Sequence, residues 1–177
     1  MELHEGLDFA RSRHQGVLVT RRADGRPQLS NILYHLSDSP GGGAGGGGAG
    51  GGGAGGGGGA GGDASGGGGA GGGGGPVVRI SVTDSRAKTR NIRRDPAASL
   101  YVPGESFWAY VVLDGTAELS PVASAPDDDT VEELVELYRS ISGRDHPDWA
   151  EYRESMVAER RLVARLHPTH AYGLLAR

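Results

Sequence analysis

The sequence contains no cysteine, which excludes disulfides, iron–sulfur clusters and thiol nucleophiles together. Aromatic residues are scarce, 6% of 177, and the net charge is −4. A nucleic-acid binder carries its basic surplus through the whole domain and interleaves aromatics for stacking, so a nucleic-acid partner is not expected. No apolar run approaches the roughly 20 residues of a membrane span. The opening MELHEGLDFARSR lacks the basic start and apolar stretch of a secretion signal. The expectation is a soluble cytoplasmic protein with no membrane partner. Chemical signatures are missing too. There is no HExxH, no G-x-S-x-G elbow and no Walker lysine after a glycine loop. His167 and His170 sit three apart on a predicted strand, where side chains alternate, so they are not expected to share a metal.

Glycine, by contrast, is abundant at 34 residues, most of them in the Gly/Ala tract 41–75. Such a stretch has no side chains to bury and much backbone entropy to lose, which predicts a disordered hairpin tip inserted into one domain spanning 1–177. Its repeated matches to G-x-G-x-x-G carry no information without a helix to follow and an acidic partner. A hairpin tip of no catalytic role and a functional tether or lid are the two readings of the tract. Closing a long loop instead of a short turn costs only about 2 kcal/mol, so the domain tolerates it.

The rest is patterned as a β-rich body with added helices. Residues 5–14 predict a short helix. GVLVTRR (16–22) and PQLSNILYHL (27–36) predict strands joined at Asp24-Gly25, a strong hairpin signal. The second strand alternates Gln28, Ser30, Ile32 and Tyr34 against Leu29, Asn31, Leu33 and His35, so both faces are mixed and it serves a core and a site at once. PVVRISVTD (76–84) is the next strand, and DSRAKTRNIRRDP a helix capped by Asp84 or Ser85 and ended by Asp95-Pro96. Segments 97–104 and 107–120 predict strands, with a bulge or bend at Gly115. Thr130 to Glu133 spells a capping box ahead of a stripe of Val131, Leu134, Val135, Tyr138 and Ile141, stopped by Gly143. A further helix starts near Pro147 with Trp149, Tyr152 and Met156 inward, and the C-terminus returns to strand.

One of the 18 strong cations is a lysine, and it is Lys88. In a composition drawn toward Arg, Ala and Gly, a lone lysine suits a place that needs a compact, mobile point charge. It falls in the first turn of a helix that follows a strand, where free N–H groups and the positive dipole end already favour phosphate. Arg86, Thr89, Arg90 and Asn91 surround it. The other reading is an arginine-rich helix with a solvated face. Six acidic residues between Asp127 and Glu136 are explained by helix capping and solvation, not by paired-carboxylate catalysis.

GRPQLSN (25–31), RAKTRNIRRDP (86–96), APDDDTVEELVELYR (125–139) and HAYGL (170–174) together resemble the deazaflavin-dependent branch of the pyridoxamine 5'-phosphate oxidase-like split-barrel proteins. The resemblance covers nearly everything except the glycine tract, where that family has a short turn. It implies a six-stranded split β-barrel, mainly β with added helices. It also implies a homodimer with two cofactor sites at the subunit interface, and coenzyme F420, a deazaflavin with a phosphate-lactyl-glutamate tail. Carried over residue by residue, it places Arg86, Lys88 and Asn91 around the cofactor phosphate with Thr89 nearby. Pro27, Gln28, Ser30 and Asn31 would line the ring system, Ser81 the ribityl chain, and Trp108 and Tyr110 would be offered by the neighbouring subunit. Trp108 serves equally as dimer packing, and Pro27 as the end of a turn. The activity implied is an F420-dependent reductase passing a hydride to an electron-poor double bond of a small organic substrate. The alternatives are an FMN-dependent oxidoreductase and a non-catalytic F420-binding or storage protein. No residue is singled out as a general acid.

Overall fold

The computed structural model describes residues 1–38 and 75–175. The disordered insert expected over 41–75 lies, apart from Gly75, outside them. The elements in chain order are α1 (Leu3–Arg11), β1 (Gln15–Arg21), β2 (Pro27–Leu33), β3 (His35–Ser37), β4 (Val77–Thr83), α2 (Ala87–Arg94), β5 (Ala97–Pro103), β6 (Tyr110–Leu119), α3 (Asp129–Ser142), α4 (Trp149–Ala158) and β7 (Arg161–Leu174). Among these residues no helix is long and apolar enough to cross a membrane.

All the strands join one antiparallel sheet in the order β2-β1-β5-β6-β7-β4-β3. The two outermost strands, β2 and β3, are separated in sequence by Tyr34 alone. A chain that occupies both edges within eleven residues forces the sheet to curl until those edges meet. This accounts for seven strands where six were expected. The segment predicted as one strand, 27–36, leaves β1 at Leu33 and joins β4 from His35 on. Tyr34 makes the bend. It is fully buried, its N–H donates to His14 O at 2.9 Å and its hydroxyl to Ala10 O at 2.8 Å. Burial pushes its phenol far above the ordinary value. β2 and β4 therefore face each other across a seam without pairing.

The β1–β2 hairpin forms where Asp24-Gly25 predicts it, with Gly25 at φ +82°. The alternation along β2 is kept, since Gln28, Ser30 and Ile32 are half-buried whereas Leu29, Asn31 and Leu33 are exposed. Gly115 accommodates a bulge. Asp114 pairs with His170 and Gly115 with Pro168, leaving Thr169 as the extra residue. A Cβ on Gly115 would lie 2.1 Å from His167 O, so only glycine fits. Leu18, Leu100, Leu113, Val102, Val111, Ile80 and Leu162 fill the barrel, and α1 plugs one end with Leu7 and Ala10. Each such side chain contributes about 1.5–3 kcal/mol by leaving water.

Two helix starts differ from expectation. The cap of α3 is Asp128, not Thr130, because its carboxylate collects the N–H groups of Val131 (2.8 Å), Ser124 (2.7 Å) and Ala125 (3.1 Å). Thr130 instead donates to Pro121 O at 3.1 Å, and Glu133 joins Arg165 and, at 3.5 Å, buried Arg79. α2 begins after Arg86 with no side-chain cap, because Asp84 is engaged elsewhere, as described below. α3 and α4 pack on the outside of the seam over a second small core of Ala123, Val131, Leu134, Met156 and Val163.

Candidate functional site

The seam between β2 and β4 opens into a groove of about 410 Å³. Asn31, Ile32 and Leu33 of β2 form one side and Ser81 of β4 the floor; Leu134, Leu137, Tyr138 and Ile141 of α3 with Tyr152 of α4 form the opposite wall. Lys88 and Arg161 are the charged residues of the lining, near enough to act on each other. The walls are apolar and aromatic, and the one charged end is cationic.

Local structure fixes that end. β4 stops at Thr83, whose carbonyl accepts the Thr89 hydroxyl at 2.8 Å and the Arg86 N–H at 3.2 Å, tying the first turn of α2 to the strand. Asp84 is held from two sides. Its carboxylate accepts Arg93 and, at 2.8 and 3.2 Å, the Arg160 fork, while its N–H donates to Arg160 O at 3.0 Å. These charge-assisted bonds hold the Asp84 carboxyl below its ordinary value. Arg160 takes a left-handed conformation, φ 53°, and the next residue, Arg161, opens β7 opposite Thr83. The register of β4 with β7 thus sets Arg161 beside the start of α2.

Lys88 is half-buried, and loss of water, then Arg86, then Arg161 push its ammonium pKa down. No carboxylate among the described residues offsets it. A half-buried cation between two more cations, lining a groove, has the chemistry of a candidate anion site.

The expected residues divide. Asn31, Ser81 and Lys88 share the groove. Arg86 stands exposed at the start of α2, close enough to act on Lys88. Thr89 is fully buried and spends its hydroxyl on Thr83 O, so it shapes the turn without facing the groove. Asn91, expected on the phosphate side, is 6% exposed and turned toward β1, donating to Thr20 Oγ1 at 3.1 Å and accepting from Arg94 at 3.2 Å. Helical rotation carries it past the edge that Lys88 occupies and into the core. Gln28 bonds Leu29 O at 3.1 Å, and Ser30, half-buried on the same face, does not line the groove. Pro27 lines a different hollow of about 290 Å³ at the hairpin end. Trp108 is 71% exposed and set edge-on to Phe107, and Tyr110 stacks on Tyr101 at 5.7 Å; neither reaches the groove of its own chain.

Arg161 and the helical wall were not foreseen as site residues. Tyr138 and Tyr152 were read as core. They belong to a cluster with His146 and Trp149, ring centroids 5.2–5.8 Å apart, that fixes both rings where they border the groove. Tyr152 donates to Leu134 O at 3.1 Å, and burial raises its phenol to about 12. The one advance signal was a tyrosine within an otherwise aliphatic helical stripe.

The chain matches no protein-family model. Solved structures share its fold over nearly its whole length. A conserved hypothetical protein from Mycobacterium tuberculosis aligns at 18% identity and TM-score 0.58, covering 97% of this chain and 82% of that one. An F420 reductase aligns at 19% and 0.52, covering 93% and 94%. A candidate pyridoxamine 5'-phosphate oxidase from Listeria innocua aligns at 15% and 0.50, covering 98% and 96%. Heme-binding and heme-storage proteins share the fold too. The architecture is therefore that of the pyridoxamine 5'-phosphate oxidase-like split barrels, a fold that serves several cofactors.

Proposed function

We propose that this chain is an F420-dependent oxidoreductase that transfers a hydride between the deazaflavin and an electron-poor double bond of a small organic substrate. The observation that carries this reading is Lys88, an uncompensated half-buried ammonium lining an apolar seam groove. The residues present fit the group. Lys88 and Arg86 would hold the phosphate, Asn31 would border the ring system and Ser81 the ribityl chain, with Tyr138 on the wall of the same groove. When bound, the deazaflavin supplies hydride chemistry at a carbon that reacts poorly with oxygen. The chain's own work is to bind the anion with Lys88 and Arg86, to orient the ring against β2, and to keep water out with Leu134, Leu137 and Ile141. The sharing of the fold with an F420 reductase supports the same reading.

The site is completed, in this reading, by a second copy of the chain. Across the outer face of the sheet one row runs Asn31, Val17, Tyr101, Val112, Tyr172, with Asn31 its one polar amide. Leu29 and Leu33 (60% and 53% exposed), Trp108 and Phe107 (71% and 86%) and Leu174 (54%) extend the apolar surface. A contiguous apolar face of this kind marks an association surface. Asn31 and Leu33 belong to both that face and the groove, so a partner seated there would border the cofactor, and its Trp108 and Tyr110 would be the aromatics offered to it.

Titration of the full chain with F420 and with FMN, read by fluorescence, tests the cofactor. Reduced F420 with an enone, followed by loss of the reduced signal, tests turnover. Tight FMN binding with no F420 binding would replace the leading reading by the FMN-dependent one; F420 binding without turnover on any acceptor would leave a binding or storage protein.

A further inference from the structure

We infer that Arg161 is the second arm of the anion site and Glu159 its built-in counter-anion, so that the groove takes a phosphoryl group by exchanging the Glu159 carboxylate for phosphoryl oxygens. This rests on the reading that the Lys88 end of the groove holds a phosphate.

Arg161 lines the groove together with Lys88 and Tyr152, near enough to act electrostatically on both. Its Nε and one Nη both engage a single oxygen, Glu159 Oε2, at 2.8 and 2.7 Å. The rest of the fork carries no bond to a described residue and remains for a ligand. Glu159 is the more exposed partner, 52% against 31%, so it can swing into water at little cost when a better acceptor arrives. Lys88, Arg86 and Arg161 meet at this end, and Glu159 is paired with Arg161. A carboxylate ligand would repeat what Glu159 already gives Arg161, whereas a tetrahedral phosphoryl group can present oxygens to the arginine fork and to the Lys88 ammonium together. Arg160 and Asp84 make the arm rigid, because the left-handed turn and its paired anchor fix the start of β7 against α2.

The test compares phosphate-bearing with phosphate-free ligands on the full chain. Coenzyme F420 and FMN are titrated beside riboflavin, which lacks the phosphate. Arg161→Ala is expected to weaken F420 and FMN about tenfold and to leave riboflavin unchanged; Arg161→Lys, which keeps charge without the fork, falls between. Glu159→Gln is expected to tighten the phosphate-bearing ligands severalfold. If Lys88→Ala weakens them and Arg161→Ala does not, the second arm is refuted while the phosphate site stands. If wild type prefers neither phosphate-bearing ligand to riboflavin, the underlying reading is refuted. Equal weakening of riboflavin and FMN in Arg161→Ala would reduce the residue to a wall and overturn the inference. Should Arg161→Ala fail to fold, Glu159→Gln decides, and unchanged affinity there overturns it.

Discussion

Replacing Lys88 by alanine separates what the residue does for the ligand from what it does to the fold. In the folded chain its ammonium is half-buried beside Arg86 and Arg161 with no carboxylate to offset it, and its pKa is lowered. A lowered pKa on a base means that between the folded and ordinary lysine values the unfolded chain binds more protons than the folded one, so stability rises with pH through that window. Below the window both states are charged and the fold bears the full desolvation and repulsion. Lys88→Ala removes that burden, so the ligand-free variant should melt at or slightly above wild type at neutral pH, with the difference fading as pH climbs toward the ordinary lysine range. Ligand affinity should move the other way. A charge-assisted bond to phosphate is worth about 1.5–3 kcal/mol, or roughly 10- to 150-fold in Kd. In wild type the affinity for a phosphate-bearing cofactor should fall as pH rises through the lowered Lys88 value, and in the variant that limb should vanish. Thermal melting and fluorescence titration across pH read both quantities on one sample. Lower stability with unchanged affinity would refute the reasoning, because it would make Lys88 a structural cation.

Thr89→Val keeps the shape of a buried side chain while deleting its bond to Thr83 O, so it should cost about 1–2 kcal/mol and lower Tm by a few degrees. Cofactor affinity per folded molecule should stay within about threefold, by titration below the melting range. Gly115→Ala drives a methyl into His167 O and should cost about 3 kcal/mol or prevent folding, seen in denaturant unfolding; a wild-type midpoint would show that the bulge is not as drawn. Ser37 and Val77 are paired neighbours on β3 and β4, so replacing residues 41–75 with Asn-Gly should leave the chain folded and the cofactor bound. Retained folding with lost binding would assign the glycine tract a part in the pocket. On the proposed pairing of two copies through the sheet face, wild type should sediment as a dimer and Leu29→Glu with Tyr172→Glu as a monomer, at unchanged far-ultraviolet circular dichroism.

What sequence reading could reach here depended on whether the cause was local. The Asp24-Gly25 turn, the strand into the Lys88 helix and the α3 stripe each rest on neighbours a few residues apart, and each is found. The caps were misplaced for a reason that is also physical. Asp84 and Thr130 are good capping residues, but Arg160 claims the first and Pro121 O the second, across 76 and 9 residues. Asn91 follows the same rule, since which side of α2 faces inward is decided by Thr20 on β1. The split of 27–36 into two strands had no sequence signal, because Tyr34 ends one pairing and begins another only once the barrel curls. Arg161 is the extreme case. Nothing around it distinguishes it from Arg160, and it reaches the site solely because β7 pairs with β4 in a register that sets it opposite Thr83. The lone lysine was legible because the role proposed for it depends on a local strand-to-helix turn; Arg161 was hidden because a second cation lining the same groove needs no neighbourhood in sequence, only the same seam.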